Sequence, residues 1–593
     1  MKIQRIHIRN LYSYDDTSVD FGPLNLIVGT NASGKTNLIR ILKLLTQCDK
    51  SGSIADAQLS NESRYQDQTD SMIQVELEFS EDEVRMLLEL PINAELTAEE
   101  TRREYEECRH STLIMCWKPI PDPSGARPDL LMLRFGQGMA AFSQEGQSEG
   151  LGFVRQIPGD LSGLRNLVRG MYPLDGASDA YNSFYEARER DVRRLKELLN
   201  TRGGKGIHIK AYERHLNVEH IYRAFHFCFG DRAREMGSVG LWFLLTSILR
   251  KRAVFVSEHR PSFGELDREL FDLKNRKEST TEYNELKERF GRMFPNVSFD
   301  VFRQKLKDQD TERAVTVQKD VRINPTLEEG ASGHFEVLYI MSRVANRNES
   351  VLVLDEPALH LHPMKITKLA RELAHVGQNQ TIIVTHSPYF LDYDVLKTPK
   401  TARLICIKRD GTSKALFAEN ASDLIAKMQR HEFRREAFFS NCICLAEGPS
   451  DRAAVMAASE LVGNPFDKYD ITVVDIGGKG SFEKWSNLLD AYKMPFVALV
   501  DVDTQYDRPG QTFRMKEDLE GLLKELGWQG RSKASPNDAY GFVIGLQGDS
   551  DRISKLFESS VGKAVYKAVE LAGGNTSELE EGIRGATAMP SDK

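Results

Sequence analysis

Three groups of residues in this 593-residue chain have types and spacings suited to chemistry. The first is Gly29-Thr30-Asn31-Ala32-Ser33-Gly34-Lys35-Thr36, a complete G-x-x-x-x-G-K-[ST] run between the apolar Leu24-Asn25-Leu26-Ile27-Val28 and Asn37-Leu38-Ile39-Arg40-Ile41-Leu42. Strand, loop and helix in that order is the context in which such a loop wraps a triphosphate. Gly29 and Gly34 permit dihedrals that a Cβ would block, and a helix beginning near Lys35 aims its free amides at the anion. Lys35 then offsets the β- and γ-phosphate charge and Thr36 holds Mg²⁺, so ATP and Mg²⁺ are the expected ligands. The second group is Asp355-Glu356, two carboxylates closing the apolar run Val351-Leu352-Val353-Leu354. There Asp355 suits a Mg²⁺ held through water, and Glu356 suits orientation or deprotonation of the water that attacks the γ-phosphate. The third group is Glu447, after Cys442-Ile443-Cys444-Leu445-Ala446, with Asp501-Val502-Asp503 after another apolar run, 496–500.

Positioning these groups requires particular elements. Residues 3–8 and 18–21 read as a hairpin feeding the phosphate loop, and 72–79 alternates Ile73, Val75, Leu77 and Phe79 with polar residues as a half-buried strand does. Strand-like 113–117 and 130–135 flank the turn-rich stretch 119–128. Around Glu447 the order is strand, glycine turn, helix 452–461, strand 471–476, the turn Gly477-Gly478-Lys479-Gly480, and strand 496–500. Alternating strands and helices predict a parallel, doubly wound α/β sheet whose carboxyl ends face one crevice, which brings Glu447, Asp501 and Asp503 together across the sequence. Clustered acids need cations to offset their repulsion, and oxygen ligands suit Mg²⁺ or another hard divalent ion such as Mn²⁺.

The composition, 40% hydrophobic and 28% charged, is that of a globular chain long enough for about three or four domains. No apolar run nears the ~20 residues of a membrane span, and Met1-Lys2-Ile3-Gln4-Arg5 leads into an alternating strand, so a cytoplasmic protein without membrane partners is expected. The seven cysteines lack paired C-x-x-C spacing and read as buried thiols. A net charge of -8 argues against wholesale nucleic-acid coating but allows a local basic groove. Between 179 and 294 the chain becomes helical in pattern and highly charged. Arg188, Arg190, Arg193, Arg194, Lys196, Arg202 and Lys205 could line DNA, but the interleaved Glu186, Glu189, Asp191 and Glu197 favour a solvated, salt-bridged helix.

The start of the chain, residues 2–11 and 24–36, resembles the amino-terminal lobe of the ABC-type ATPases that act on DNA, such as the SMC, Rad50 and RecF families. That resemblance implies a Mg²⁺-contacting glutamine, for which Gln58, Gln66 and Gln68 are all available. It also makes Ala331-Ser332-Gly333-His334-Phe335 the signature segment, with Ser332 and Gly333 retained and His334 in place of the usual second glycine. Ala358-Leu359-His360-Leu361-His362-Pro363 matches the segment after the catalytic carboxylate, and His386, after the buried strand 381–385, matches the histidine that senses the γ-phosphate. Because such a signature closes over the triphosphate of another subunit, one loop and one signature imply a homodimer or higher homo-oligomer.

From Glu447 onward the residues resemble the Toprim domain, and an ABC-type ATPase with a helical insertion followed by Toprim resembles the overcoming-lysogenization-defect (OLD) nucleases. The resemblance implies a metal-dependent DNA endonuclease, with bacterial anti-phage defence as its setting and an accessory defence protein or nucleic acid as an added partner. By carry-over, Glu447 and Asp451 bind or position one metal, Asp501 and Asp503 the shared or second metal, and Asp549 and Asp551 are the nearest later acids. Lys563 is the matching basic residue, with Lys567 its rival. The implied chemistry is two-metal phosphodiester hydrolysis, with a lysine offsetting charge on the phosphate.

The expected domains are residues 1–178, the first part of the ATPase; 179–294, a helical insertion that dimerises; 295–415, the second part of the ATPase; and 416–593, Toprim. A topoisomerase would need a nucleophilic tyrosine in a further DNA-gate domain, and a primase a zinc module, neither of which is legible. The remaining alternative is an SMC- or RecF-like DNA-binding clamp of DNA repair, which has no use for the Toprim acids.

Overall fold

The structure, a computed structural model, describes residues 1–45, 70–80, 83–84, 109–117, 130–135, 138–143, 148–153, 245, 248–250, 252–257, 262–275, 280–306, 309–318, 332–345, 350–375, 379–398, 401–530 and 533–588. Gln58, Gln66 and Gln68, and the whole of 179–244 with its arginine run, lie outside these residues. The chain falls into two compact units: Met1–Asn25, Gly34–Val384 and Arg409–Ala415 form one, and Leu26–Ser33, Thr385–Lys408 and Leu416–Lys593 the other.

In the first unit, Lys2–Leu11 and Tyr14–Asp20 form the expected antiparallel hairpin, with Ile6 registered against Val19. Ile6 and Ile8 are buried two positions apart, so period-two patterning sets the face, and a register shift between Ile3 and Arg5 lets the buried Ile3 share it. Ser71–Glu78 and His110–Trp117 continue this antiparallel sheet through Leu130–Phe135, Gly138–Ser143 and Ser148–Phe153 to seven strands. A second, parallel set places Val351–Asp355 between Ala253–Val256 and Gln380–Val384. Val351, Leu352, Val353 and Leu354 are buried, the near-continuous apolar run that a strand covered on both faces requires. Helices Phe263–Asn275 and Thr280–Met293 lie beside the long hairpin Val297–Leu306 with Gln309–Gln318.

The second unit contains a four-stranded, all-parallel sheet in the order Ile471–Asp475, Cys442–Ala446, Phe496–Val500, Thr512–Arg514. Cys442–Ala446 and Phe496–Val500 are buried at every position. Helices Pro449–Leu461 and Ser560–Leu571 pack on this sheet, their small residues Ala454, Ala457, Ala458 and Ala564 letting backbone approach strand closely. The thiols of Cys442 and Cys444 are free and buried, and burial pushes Cys442 up to about 12. Among the described residues no helix is long and apolar enough to cross a membrane.

Candidate functional site

At the phosphate loop the local geometry explains the residue types. Gly29 has φ 151°, and a Cβ there would lie 2.2 Å from the Ile407 carbonyl oxygen. Gly34, at φ 112°, is the left-handed cap of helix Lys35–Leu44, and its Cβ would meet Ser413 Oγ at 2.4 Å and Ser13 Oγ at 2.7 Å. Tyr14 fixes this cap by donating its hydroxyl to the Gly34 carbonyl at 3.0 Å. Asn31 and Thr36 are exposed, whereas Lys35 is 4% exposed. Burial lowers the Lys35 ammonium to about 8, and the Glu356 carboxylate opposes that shift. A cation held out of water beside one carboxylate fits the anionic phosphates proposed for it.

Glu356 has φ 46°, a left-handed conformation rare outside glycine, and donates its backbone N–H to the Val384 carbonyl at 3.0 Å. Backbone strain held at a residue between two buried strands is characteristic of a functional position. Asp355 precedes it as the half-buried end of its strand. Ser332 is exposed and opens the helix Ser332–Ala345. Gly333 sits close to the following turn, where a Cβ would lie 3.2 Å from the His360 carbonyl oxygen. His334 departs from the signature pattern for a packing reason: it is 9% exposed, with its ring edge-on to Phe294 and Phe290 at centroid distances of 4.5 and 6.0 Å. Burial, reinforced by Lys365, lowers its pKa and keeps the imidazole neutral. In the second unit His386 is exposed and begins the turn in which Ser387 N–H donates to Thr385 Oγ1 at 2.9 Å.

The acids of the second unit are set by register. Ala446 pairs with Leu499, so Glu447 leaves its strand beside the point where Val500 leads into Asp501. Asp451 enters from the first turn of helix Pro449–Leu461, where its carboxylate accepts the Gly448 N–H at 3.0 Å. Burial, then the charge of Asp501, pushes Asp451 up to about 7; burial, then the charge of Glu447, pushes Asp501 up to about 6. Among the described residues Asp501 Oδ1 is buried without a hydrogen-bond partner. Asp503 is exposed and accepts from Lys479 Nζ at 2.6 Å, which lowers its pKa. Thr504, only 3% exposed, donates its hydroxyl to Glu447 Oε2 at 3.1 Å.

The sequence reading missed three contributors. Glu520, in helix Leu519–Glu525, adds negative charge to both Asp451 and Asp501, and Asp518 adds it to Asp501. Lys479, noted only as part of a glycine turn, is a basic residue at the acids, feeling Asp503 first and then Glu447 and Asp501. No motif marks Glu520; only the fold brings it there. Asp549 caps helix Ser550–Glu558, accepting the Arg552 N–H at 3.1 Å, and Asp551 is exposed in its first turn. Neither is among the leading charges on Asp451 or Asp501. Lys563 is exposed on helix Ser560–Leu571, and Lys567 pairs with Glu570 at 2.9 Å.

Among the described residues no three His, Cys, Asp or Glu side chains close into a metal-holding group. The donor chemistry nonetheless fits a hard divalent cation: carboxylates that raise one another's pKa and an orphaned buried oxygen are both relieved by positive charge.

Three parts of the chain match known families. Residues 1–122 match a family described as AAA ATPase domain, and 241–392 one described as AAA domain, putative AbiEii toxin, Type IV TA system. Residues 438–503 match the overcoming lysogenization defect protein-like TOPRIM domain. The OLD nuclease of Thermus scotoductus is 29% identical over 189 residues, covering 29% of this chain and 35% of the relative. The Old nuclease of Escherichia phage P2 is 26% identical over 170 residues, covering 27% and 28%. The chain thus matches about a third of the length of these curated relatives. Among solved structures, the SMC head domain from Thermotoga maritima is 12% identical, with 71% of this chain and 100% of that chain covered at a TM-score of 0.31. A likeness at that score carries no argument. The chain joins segments that match AAA-type ATPase families to a segment that matches an OLD-like Toprim domain.

Proposed function

We propose that this chain is an ATP-binding and ATP-hydrolysing, metal-dependent DNA endonuclease whose Toprim domain cuts phosphodiesters under control of an ATPase homodimer or higher homo-oligomer. The observation that carries the reading is Asp501 Oδ1, buried with no hydrogen-bond partner among the described residues and surrounded by the like charges of Glu447, Asp503, Asp518 and Glu520. A structural domain gains nothing from such an arrangement, because an unpaired buried carboxylate oxygen is costly.

In the ATPase, Lys35 supplies the charge for the phosphates, Thr36 and Asp355 hold Mg²⁺, and Glu356 orients the attacking water. Ser332 and Gly333 of one subunit close over the nucleotide of the other, and His386 senses its γ-phosphate. In Toprim, Glu447, Asp451, Asp501 and Asp503 hold divalent cations, Mg²⁺ or Mn²⁺, which when bound supply water activation and leaving-oxygen stabilisation. Asp451 and Asp501 must lose their protons for this. Lys479 is the cation placed to shield the acids or the substrate phosphate, a role the family resemblance gave to Lys563. The role we propose is cytoplasmic and in anti-phage defence, with an accessory protein or nucleic acid as a further partner; the likeness to an OLD-like Toprim domain and to a family described as putative AbiEii toxin supports the defence setting.

A second reading, an ATP-driven DNA-binding clamp without cleavage, is favoured by one observation: no metal-holding trio is closed among the described residues. Incubation with supercoiled and linear DNA plus Mg²⁺ or Mn²⁺ separates the two. Nicking or degradation supports the endonuclease; retention of intact DNA with ATP turnover supports the clamp.

A further inference from the structure

The segment after Asp501 is tied down in a way that neither the metal chemistry nor the sequence motif requires. Arg514, the last residue of strand Thr512–Arg514, donates to three backbone carbonyls of that segment: Asp501 at 3.3 Å, Tyr506 at 2.9 Å, and Thr504. Thr504 N–H also returns to the Asp501 carbonyl at 3.2 Å, closing a turn over Asp501-Val502-Asp503-Thr504. The edge strand is positioned for this because Val500 is registered against Arg514. Inside the turn, the 3% exposed Thr504 directs its hydroxyl to Glu447 Oε2 at 3.1 Å, across 57 positions of sequence. The turn therefore has one fixed geometry, set from outside by a planar guanidinium whose donors can serve several acceptors at once.

We propose that Thr504 and Arg514 are positioning residues of the Toprim site: Thr504 orients the Glu447 carboxylate, and Arg514 holds the turn that presents Asp501 and Thr504 to it. This rests on the reading of Glu447 and Asp501 as metal ligands. Thr504 occupies Glu447 Oε2 and leaves Oε1 for a cation, and the Arg514 guanidinium bonds to backbone carbonyls, so both act through the carboxylates. Residues that orient metal ligands are worth about 10- to 100-fold in affinity or activity.

The test uses the full chain and Mn²⁺ as the probe, with affinity read by isothermal titration, cleavage read on plasmid DNA, and ATP turnover as the control for folding. Thr504→Val keeps shape and loses the donor, while Thr504→Ser keeps the donor. The expected result is about a tenfold or greater loss of Mn²⁺ affinity and of cleavage in Thr504→Val and in Arg514→Met, with Thr504→Ser within about twofold of the parent. Parental Mn²⁺ affinity in Thr504→Val, or a Thr504→Ser as impaired as Thr504→Val, overturns the proposal. Glu447→Gln distinguishes the two levels. If it loses Mn²⁺ binding while Thr504→Val retains it, the positioning role alone fails; if both retain it, the assignment of the metal site fails with it.

Discussion

Lys479 Nζ lies 2.6 Å from Asp503 Oδ2, so the outermost carboxylate of the Toprim cluster is paired with a lysine while the inner Asp501 keeps an oxygen without a hydrogen-bond partner among the described residues. A mobile ammonium and a divalent cation compete for the same acids, and both partners are more than half exposed, which leaves the lysine free to swing away. Lys479→Met should therefore tighten Mn²⁺ binding about severalfold and, by removing a cation from the substrate phosphate, lower cleavage. Isothermal titration and plasmid nicking on the same variant check both halves; weaker Mn²⁺ binding would contradict the competition.

The second prediction concerns pH and Lys35. Its folded pKa is depressed to about 8, and bound phosphates favour the ammonium, so nucleotide binding takes up a proton once the pH passes that value. ATP affinity should be level below pH 8 and fall above it, by up to about tenfold per pH unit. A filter-binding series from pH 7 to 9 shows the decline, and Lys35→Ala should bind no ATP at any pH in it.

Glu356 sits in a strained left-handed conformation next to the buried Lys35 charge, so its carboxylate is a candidate for chemistry more than for fold. Glu356→Gln should bind ATP and turn it over about a hundredfold or more slowly. Normal hydrolysis would remove Glu356 from the water-orienting role.

The His334 departure yields a stability prediction. Restoring the signature glycine, His334→Gly, empties the space between Phe290 and Phe294 and places glycine inside a helix, which should cost about 2–4 kcal/mol. Thermal unfolding checks this. Ser332→Arg, by contrast, alters an exposed side chain, and under the proposed shared site should leave folding intact while stopping ATP turnover; undiminished turnover would argue against that site.

Much of this was legible because single motifs carry local geometry. The phosphate loop declares its own strand and helix, and the strands 496–500 and 442–446 announce themselves as apolar runs ending in Asp501 and Glu447. What escaped was convergence made only by the fold. Glu520 lies on a helix with no motif around it, Arg514 works through backbone carbonyls, and Thr504 looks like any threonine until Glu447 is placed opposite it. Asp549 and Asp551 drew attention as an acidic pair after a glycine, a pattern that helix capping also produces, and the cap is what Asp549 makes. His334 could be read as a weakened signature from sequence; its aromatic pocket becomes visible only when 290 and 294 come alongside.

The central claim, that the Toprim acids cut DNA and the ATPase does separate chemistry, is tested most directly by Asp501→Asn and Glu447→Gln. Both nearly preserve volume, so a lost activity cannot be assigned to a cavity. With purified variants assayed side by side for Mn²⁺-dependent plasmid cleavage and for ATP hydrolysis, cleavage should disappear in each while hydrolysis stays at the parental rate. Cleavage at the parental rate in both variants, with contaminating nuclease excluded, would contradict the account and leave the ATP-driven clamp in its place.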